Sequence, residues 1–330
     1  MADQLLGSFV WCELMTSDTA AADTFYKKVV GWTSVPFAPD GSYIVFNNPS
    51  GDGVAGMMKL PDEAKQMGAP PHWMMYVGTP NVDQTAMRIA QLGGHVVKQP
   101  TDLPGTGRFA VVQDPFGAMF AIFQPATNRP GRAGRPGVGD FSWFELYTPN
   151  PDGAWTFYET LFGWEKTSAM DMGEMGVYQM FGRGGGIPSG GIMKPPPGAP
   201  AAWMPYAMVK DAKAAAASAT ANRGKILNGP MEVPGGDWIA QGLDPQGAMF
   251  SLHSLNPTSA KATVGKPAAA APAARKTVAK VNATKKSAAK KAKAKPVKKS
   301  AKPAKKKAPP KKKAVKKKAA PKKKTAKRKK

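Results

Sequence analysis

From Phe9 to Met15 the chain is an apolar run rich in β-forming residues, broken only by Glu13, and then the pattern changes. Ala22, Phe25, Tyr26 and Val29 recur at helical spacing behind Asp18, with Gly31 just beyond the last of them. Alternation puts every second side chain on one face of a strand, whereas steps of three and four put them on one face of a helix. The pattern therefore predicts a strand followed by a helix that Asp18 caps and Gly31 closes. Further strands are predicted at Gly41–Asn48 and Val54–Lys59. After Pro70-Pro71 the order starts again, with a strand His72–Gly78 and a helix Val82–Leu92 ending at Gly93-Gly94. Strands near His95–Lys98, Arg108–Val112 and Ala118–Gln124 complete it, the last two joined by the turn Asp114-Pro-Phe-Gly. The order is βαβββ, twice.

The whole pattern then recurs. Phe9-Val-Trp-Cys-Glu-Leu14 returns as Phe141-Ser-Trp-Phe-Glu-Leu146, and Phe25-Tyr26 with Gly31-Trp32 returns as Phe157-Tyr158 with Gly163-Trp164, at an offset of 132 residues. Later the offset is 130: Trp73 and Tyr76 match Trp203 and Tyr206, and Asp114-Pro-Phe-Gly-Ala-Met-Phe120 matches Asp244-Pro-Gln-Gly-Ala-Met-Phe250. A single two-residue deletion in the Gly/Pro-rich loops accounts for the change. The expected organisation is a domain over residues 1–127, a Gly/Pro/Arg-rich linker over 128–138 and a second domain over 139–255.

These motifs resemble the vicinal oxygen chelate superfamily, which includes glyoxalases, extradiol dioxygenases and bleomycin- and fosfomycin-resistance proteins. The resemblance rests on the strand-Ser-Asp-helix entry with Phe25-Tyr26 and Gly31-Trp32, on the closing Asp114-Pro-x-Gly, and on the copy of each in the second half. It implies an α+β fold of two tandem domains, each of paired βαβββ modules forming a curved mixed sheet shaped as a cup. It does not fix the activity, because one scaffold serves many chemistries. The tandem form implies a monomer with a pseudo-dimeric body, or a homo-oligomer.

Metal enzymes of that superfamily place His, Gln or Glu on cup-facing strands. Carried over by position, those ligands fall on Trp11 and Trp143, on Met74 and Met204, and on Ala121 and Ser251. None is a normal ligand for a hard or borderline divalent cation, so neither a metal nor another cofactor is expected. Strand alternation puts Glu13 on the face of Trp11, and His72 on the face of Met74 and Tyr76. Glu13 with His72 is thus expected in the first cup and Glu145 with His253 in the second. His95 completes a two-histidine, one-carboxylate set only if it turns inward. Three roles stay open for Glu13 and Glu145: pairing with Tyr76 and Tyr206, recognising a ligand, or acid–base work. The candidate ligand-pocket residues are Trp11, Glu13, His72, Met74, Tyr76, Trp143, Glu145, Met204, Tyr206 and His253, with no catalytic residue singled out. The glycines of Gly51–Gly56 and Gly182–Gly191 read as flexible loops at the cup rims.

Charge separates the chain into two materials. The formal net charge is +25, yet residues 261–330 hold 30 of the 47 basic residues and no acidic one, which leaves 17 basic against 22 acidic residues before them. Those last residues contain no aromatic side chain, and Pro267, Pro272, Pro296, Pro303, Pro309, Pro310 and Pro321 interrupt them. Residues 256–330 are therefore expected to be a disordered basic tail, similar to the tails of linker histones and of histone-like bacterial proteins. Its clusters are Lys285, Lys286, Lys305, Lys306, Lys307, Lys311, Lys312, Lys313, Lys316, Lys317, Lys318, Lys322, Lys323, Lys324, Lys327, Arg328, Lys329 and Lys330. They suit DNA, RNA or another polyanion without sequence preference.

Cys12 is the only cysteine, which excludes an internal disulfide. No secretory leader and no 18-residue apolar stretch are read, so a cytoplasmic, nucleoid-associated protein is expected. The leading expectation is a metal-free binder of a small organic ligand, held on nucleic acid by its tail. The alternatives are a metal-dependent lyase, isomerase or dioxygenase with a nonstandard site, and an architectural histone-like protein with an inert head.

Overall fold

A computed structural model describes residues 5–127, 135–185 and 187–256. The lysine-rich segment, with every candidate nucleic-acid contact from Lys285 to Lys330, lies outside the described residues.

The first half runs β1 (Phe9–Thr16), α1 (Thr19–Val29), β2 (Thr33–Pro36), β3 (Tyr43–Asn47), β4 (Gly53–Lys59), α2 (Asp62–Gln66), β5 (His72–Gly78), α3 (Val82–Gln91), β6 (His95–Leu103), β7 (Gly107–Gln113) and β8 (Met119–Pro125). The second runs β9 (Phe141–Tyr147), α4 (Pro151–Phe162), β10 (Glu165–Asp171), a 3₁₀ turn at Gly173–Met175, β11 (Val177–Gly182), β12 (Gly190–Met193), β13 (Ala202–Met208), α5 (Ala212–Ala221), β14 (Lys225–Glu232), β15 (Trp238–Leu243) and β16 (Met249–Ser254). The same capping chemistry starts all four long helices. Asp18, Asn81, Asn150 and Asp211 each accept from a backbone N–H of the first turn.

Each half folds into one eight-stranded mixed sheet, ordered β2-β3-β4-β1-β5-β8-β7-β6 and β10-β11-β12-β9-β13-β16-β15-β14. In each module the first strand pairs parallel with the last, as β1 with β4 and β5 with β8, while β1 and β5 meet antiparallel at the centre. A parallel pair needs a crossover, which the helix supplies. Strand β2 is missing from the sequence reading because Thr33–Pro36 is an edge strand with mostly exposed side chains and no apolar alternation. The short helix α2 has no buried residue and was equally silent.

One core lies on the helix side of both sheets, and it joins the two halves. Phe9 stacks on Phe144 with ring centroids 3.7 Å apart, and Phe25 meets Phe250 edge-on at 5.4 Å. The repeated motifs sit on this seam. Trp73 Nε1 donates to Tyr26 Oη (2.9 Å), which donates to Asp244 Oδ2 of the other half (3.1 Å). The mirrored relay runs from Trp203 to Tyr158 (2.9 Å) and on to Asp114 Oδ2 (3.0 Å). Trp32 Nε1 donates to Gly139 O and Trp164 Nε1 to Gly7 O, at 2.7 and 2.9 Å. Gly7 and Gly139 both hold positive φ, and a Cβ on Gly7 would strike Phe162 and Trp164. The duplicated tryptophans, tyrosines and Asp-Pro turns are therefore the glue between the halves.

Among the described residues no helix is long and apolar enough to cross a membrane. Cys12 is buried on the helix side, and desolvation pushes its thiol pKa well up.

Candidate functional site: two sheet cups

The face of each sheet opposite the helices carries a second, separate apolar cluster. Strand register aligns its side chains in rows. In the first cup Trp11, Tyr76, Ala121, Val111 and Lys98 are successive partners across β1, β5, β8, β7 and β6. In the second the same row is Trp143, Tyr206, Ser251, Gln241 and Asn228. The next row reads Gly56, Glu13, Met74 in the first cup and Gly191, Glu145, Met204 in the second. Directly paired residues share a face, so these rows are the floors of the cups.

A buried carboxylate stands at the centre of each floor. Tyr76 Oη donates to Glu13 Oε2 at 2.8 Å, and Tyr43, which accepts from Trp11 Nε1 at 3.0 Å, stands beside the same carboxyl and opposes the rise of its pKa. In the second cup Tyr178 donates to Glu145 Oε2 and Tyr206 to Glu145 Oε1, both at 2.9 Å, with Trp143 Nε1 donating to Tyr178 at 2.7 Å. Burial pushes both carboxyls above the ordinary glutamate range, and the phenol donors oppose that rise. The phenols respond in kind: burial and Glu145 push Tyr147 up to about 12.

Sequence reasoning supplied Tyr76 and Tyr206 as holders of the glutamates and missed Tyr43 and Tyr178. The signal was a tyrosine facing a glycine. A Cβ at Gly56 would strike the Tyr43 hydroxyl, and one at Gly191 the Tyr178 ring, so each glycine lets a phenol lie flat on the sheet. Both pairs sit at an offset of 135, between the blocks at 132 and 130. The expected single deletion is thus an insertion followed by a larger deletion. Gly53, Gly56, Gly190 and Gly191 are strand residues of β4 and β12, not parts of mobile rim loops.

The histidines stand apart from this centre. His72 is half-buried at the rim, where its Nδ1 lies 2.8 Å from Pro70 O, and His95 is exposed on edge strand β6. His253 lies between Ser142 Oγ (2.8 Å to Nδ1) and Asp237 Oδ2 (3.2 Å to Nε2), so both ring nitrogens are engaged. The set Glu13, His72, His95 does not assemble, and among the described residues no three His, Cys, Asp or Glu side chains come together as a metal site. The residues to which the resemblance carries the ligand positions, Trp11, Met74 and Ala121 on one floor and Trp143, Met204 and Ser251 on the other, are not a set that fits a divalent metal.

The cups differ on their floors. Ala121, Val111, Lys98 and Met15 of the first are matched by Ser251, Gln241, Asn228 and Tyr147 of the second. Gln241 Nε2 lies 2.7 Å from Tyr206 Oη and 3.4 Å from Glu145 Oε1, and its own oxygen accepts from Asn228 Nδ2 at 3.0 Å. The first cup has instead His72 and Lys98 near Glu13, and Lys98 lies 5.4 Å from the Phe109 ring centroid. Methionines wall both: Met15, Met58, Met74 and Met119 in the first, and Met170, Met172, Met180, Met193, Met204 and Met249 in the second.

Comparison with known proteins extends this picture. Residues 8–122 match the model of the Glyoxalase/Bleomycin resistance protein/Dioxygenase superfamily. The chain is 34% identical over 245 residues to the Mycobacterium tuberculosis protein described as putative glyoxylase CFP32, covering 73% of this chain and 92% of that one. It is 30% identical over 266 residues to the anthracycline biosynthesis protein DnrV of Streptomyces peucetius, covering 76% and 94%. Among solved structures it is similar in fold to the Mn(II)-bound glyoxalase from Novosphingobium aromaticivorans, with a TM-score of 0.53 at 15% identity over 76% of this chain and 84% of that one.

Proposed function

The chain belongs to the glyoxalase/bleomycin resistance protein/dioxygenase superfamily, and within it we propose a protein that captures a small organic ligand in its sheet cups without a metal. One observation carries the reading. At the positions where the superfamily's metal enzymes hold their ion, this chain presents Trp11, Met74 and Ala121 in one cup and Trp143, Met204 and Ser251 in the other. The remaining carboxylates are already engaged, Glu13 by Tyr76 and Glu145 by Tyr178 and Tyr206.

Such cups suit recognition. Trp and Met present large, polarisable apolar surface, and Met adapts its shape to different partners. A few buried polar groups then orient what enters. A relative named for anthracycline biosynthesis supports a small organic molecule as the ligand class.

The lysine-rich sequence from residue 261 onward supports a second function, attachment to nucleic acid by counterion release. If six to ten of its lysines engage phosphates, affinity falls by roughly 10³ to 10⁵ between 50 and 200 mM salt. Two titrations test the whole. Ligand capture by the full chain is expected to be unchanged by a chelator. Duplex DNA binding is expected to show the steep salt slope with the full chain and to vanish when residues 257–330 are removed. Capture abolished by the chelator and restored by Mn(II) would replace this reading with metal catalysis.

A further inference from the structure

The floor of the second cup holds a polar group that nothing among the described residues answers. Ser251 is 3% exposed, and its Oγ has no hydrogen-bond partner. A buried, unpaired hydroxyl costs about 1–3 kcal/mol in desolvation. Register fixes where it faces, because Ser251 is paired directly with Tyr206 and Gln241 and stands two residues from Met249, all of them cup residues. Around it the polar groups are engaged: Glu145 by Tyr178, Tyr206 and Gln241, and Gln241 by Tyr206 and Asn228. In the first cup the same position is Ala121, which leaves no such group.

We infer that the second cup is a binding site for an uncharged, planar aromatic carbonyl compound, whose carbonyl oxygen accepts a hydrogen bond from Ser251. The inference rests on the capture reading above and assigns it to one cup. Three observations set the ligand's chemistry. The hydroxyl, donor and acceptor both, can donate to a carbonyl oxygen. The partly buried wall formed by Trp143, Met170, Met180, Ile239 and Met249 calls for a flat apolar body, since thioethers pack well against aromatic edges. The charge pattern disfavours an anion: Glu145 stands on the floor, Asp237 is already paired with His253, and Asn228 stands where the first cup has Lys98. An anionic ligand would meet Glu145 in a cup where Asn228 replaces the lysine of the other.

Xanthone, with one carbonyl on a flat tricycle, is a suitable probe, compared with xanthene, which lacks the carbonyl, and with xanthone-2-carboxylate. The readout is a titration of the full chain with methyl-labelled methionine followed by NMR. Xanthone is expected to bind once per chain and to shift the methyls of Met170, Met180 and Met249 while leaving Met58 and Met119 in place. Ser251→Ala should weaken xanthone roughly 3- to 10-fold, the range of one neutral hydrogen bond, and leave xanthene unaffected. Ser251→Thr, which keeps the hydroxyl, should retain part of the difference between the two compounds.

Three outcomes overturn the inference: shifts confined to the first cup, tighter binding of the carboxylate than of xanthone, or equal loss of xanthone and xanthene in Ser251→Ala. Binding of the carboxylate in the first cup alone would sink this inference and leave metal-free capture standing. Failure of all three compounds in a chain that carries a stoichiometric metal would sink both.

Discussion

The two halves are alike where they meet and different where they face outward. On the seam, Trp32 and Trp164, Tyr26 and Tyr158, and Asp244 and Asp114 make the same bonds with exchanged roles, at distances within 0.2 Å of each other. In the cups, Ala121, Val111 and Lys98 of one floor give way to Ser251, Gln241 and Asn228 of the other, which adds neutral polar groups and removes a lysine. A duplicated interface must stay self-complementary, because each seam residue packs against the copy of its neighbour. The cups never touch one another, so each is free to change.

The largest effect is expected on the seam. Trp32→Ala and Trp164→Ala each remove a buried indole and orphan a glycine carbonyl, and each should cost about 3–5 kcal/mol of unfolding free energy. Denaturant titration of both variants checks the symmetry, which fails if one costs less than half the other.

Next come the cups. Gln241→Val gives the second floor the residue of the first and strips donors from Tyr206 and Glu145, at a cost of about 1–3 kcal/mol. Val111→Gln puts an amide into a cup that has Lys98, not Asn228, beside it. It should fail to stabilise the first half, as the shift of the denaturation midpoint will show.

A smaller effect is expected from pH. Burial raises Glu13, Glu145, Asp114 and Asp244 above their ordinary values. A carboxyl whose folded pKa lies above its unfolded one holds its proton more tightly when folded. It therefore favours the fold as pH falls towards the ordinary carboxylate range, and that contribution is lost as pH rises through the raised value. Midpoints measured between pH 5 and pH 8 should thus decline with rising pH. Glu145→Gln, which cannot ionise, should flatten the slope, and an unchanged slope would remove Glu145 from the explanation. The smallest effect belongs to Cys12, whose buried thiol should react with a disulfide reagent only as fast as the protein opens.

Much of this was legible in the sequence, for identifiable reasons. The α1 stripe Ala22, Phe25, Tyr26, Val29 is the set that is buried, and Asp18 caps that helix. Alternation placed Glu13 with Trp11 and Met74 with Tyr76, because every one of those strands has a core on one face and a cup on the other. Strand β2 escaped because an exposed edge needs no apolar pattern. Tyr43 and Tyr178 escaped because they fall in the stretch where insertion breaks the repeat, and because their partner glycines read as loop residues. The seam role of the repeated aromatics was also hidden: a motif shows that a residue recurs, not which half it touches. Ser251 was visible only as a metal ligand's replacement; its unanswered hydroxyl needed coordinates.

Metal content tests the central claim most directly. The full chain, purified without chelator, is weighed by native mass spectrometry and assayed for Mn, Fe, Ni and Zn. The account predicts far less than one metal ion per chain, and no gain of bound metal on adding Mn(II). One metal ion per chain, lost in Glu13→Gln or Glu145→Gln, would contradict it and make the cup that lost it a catalytic site.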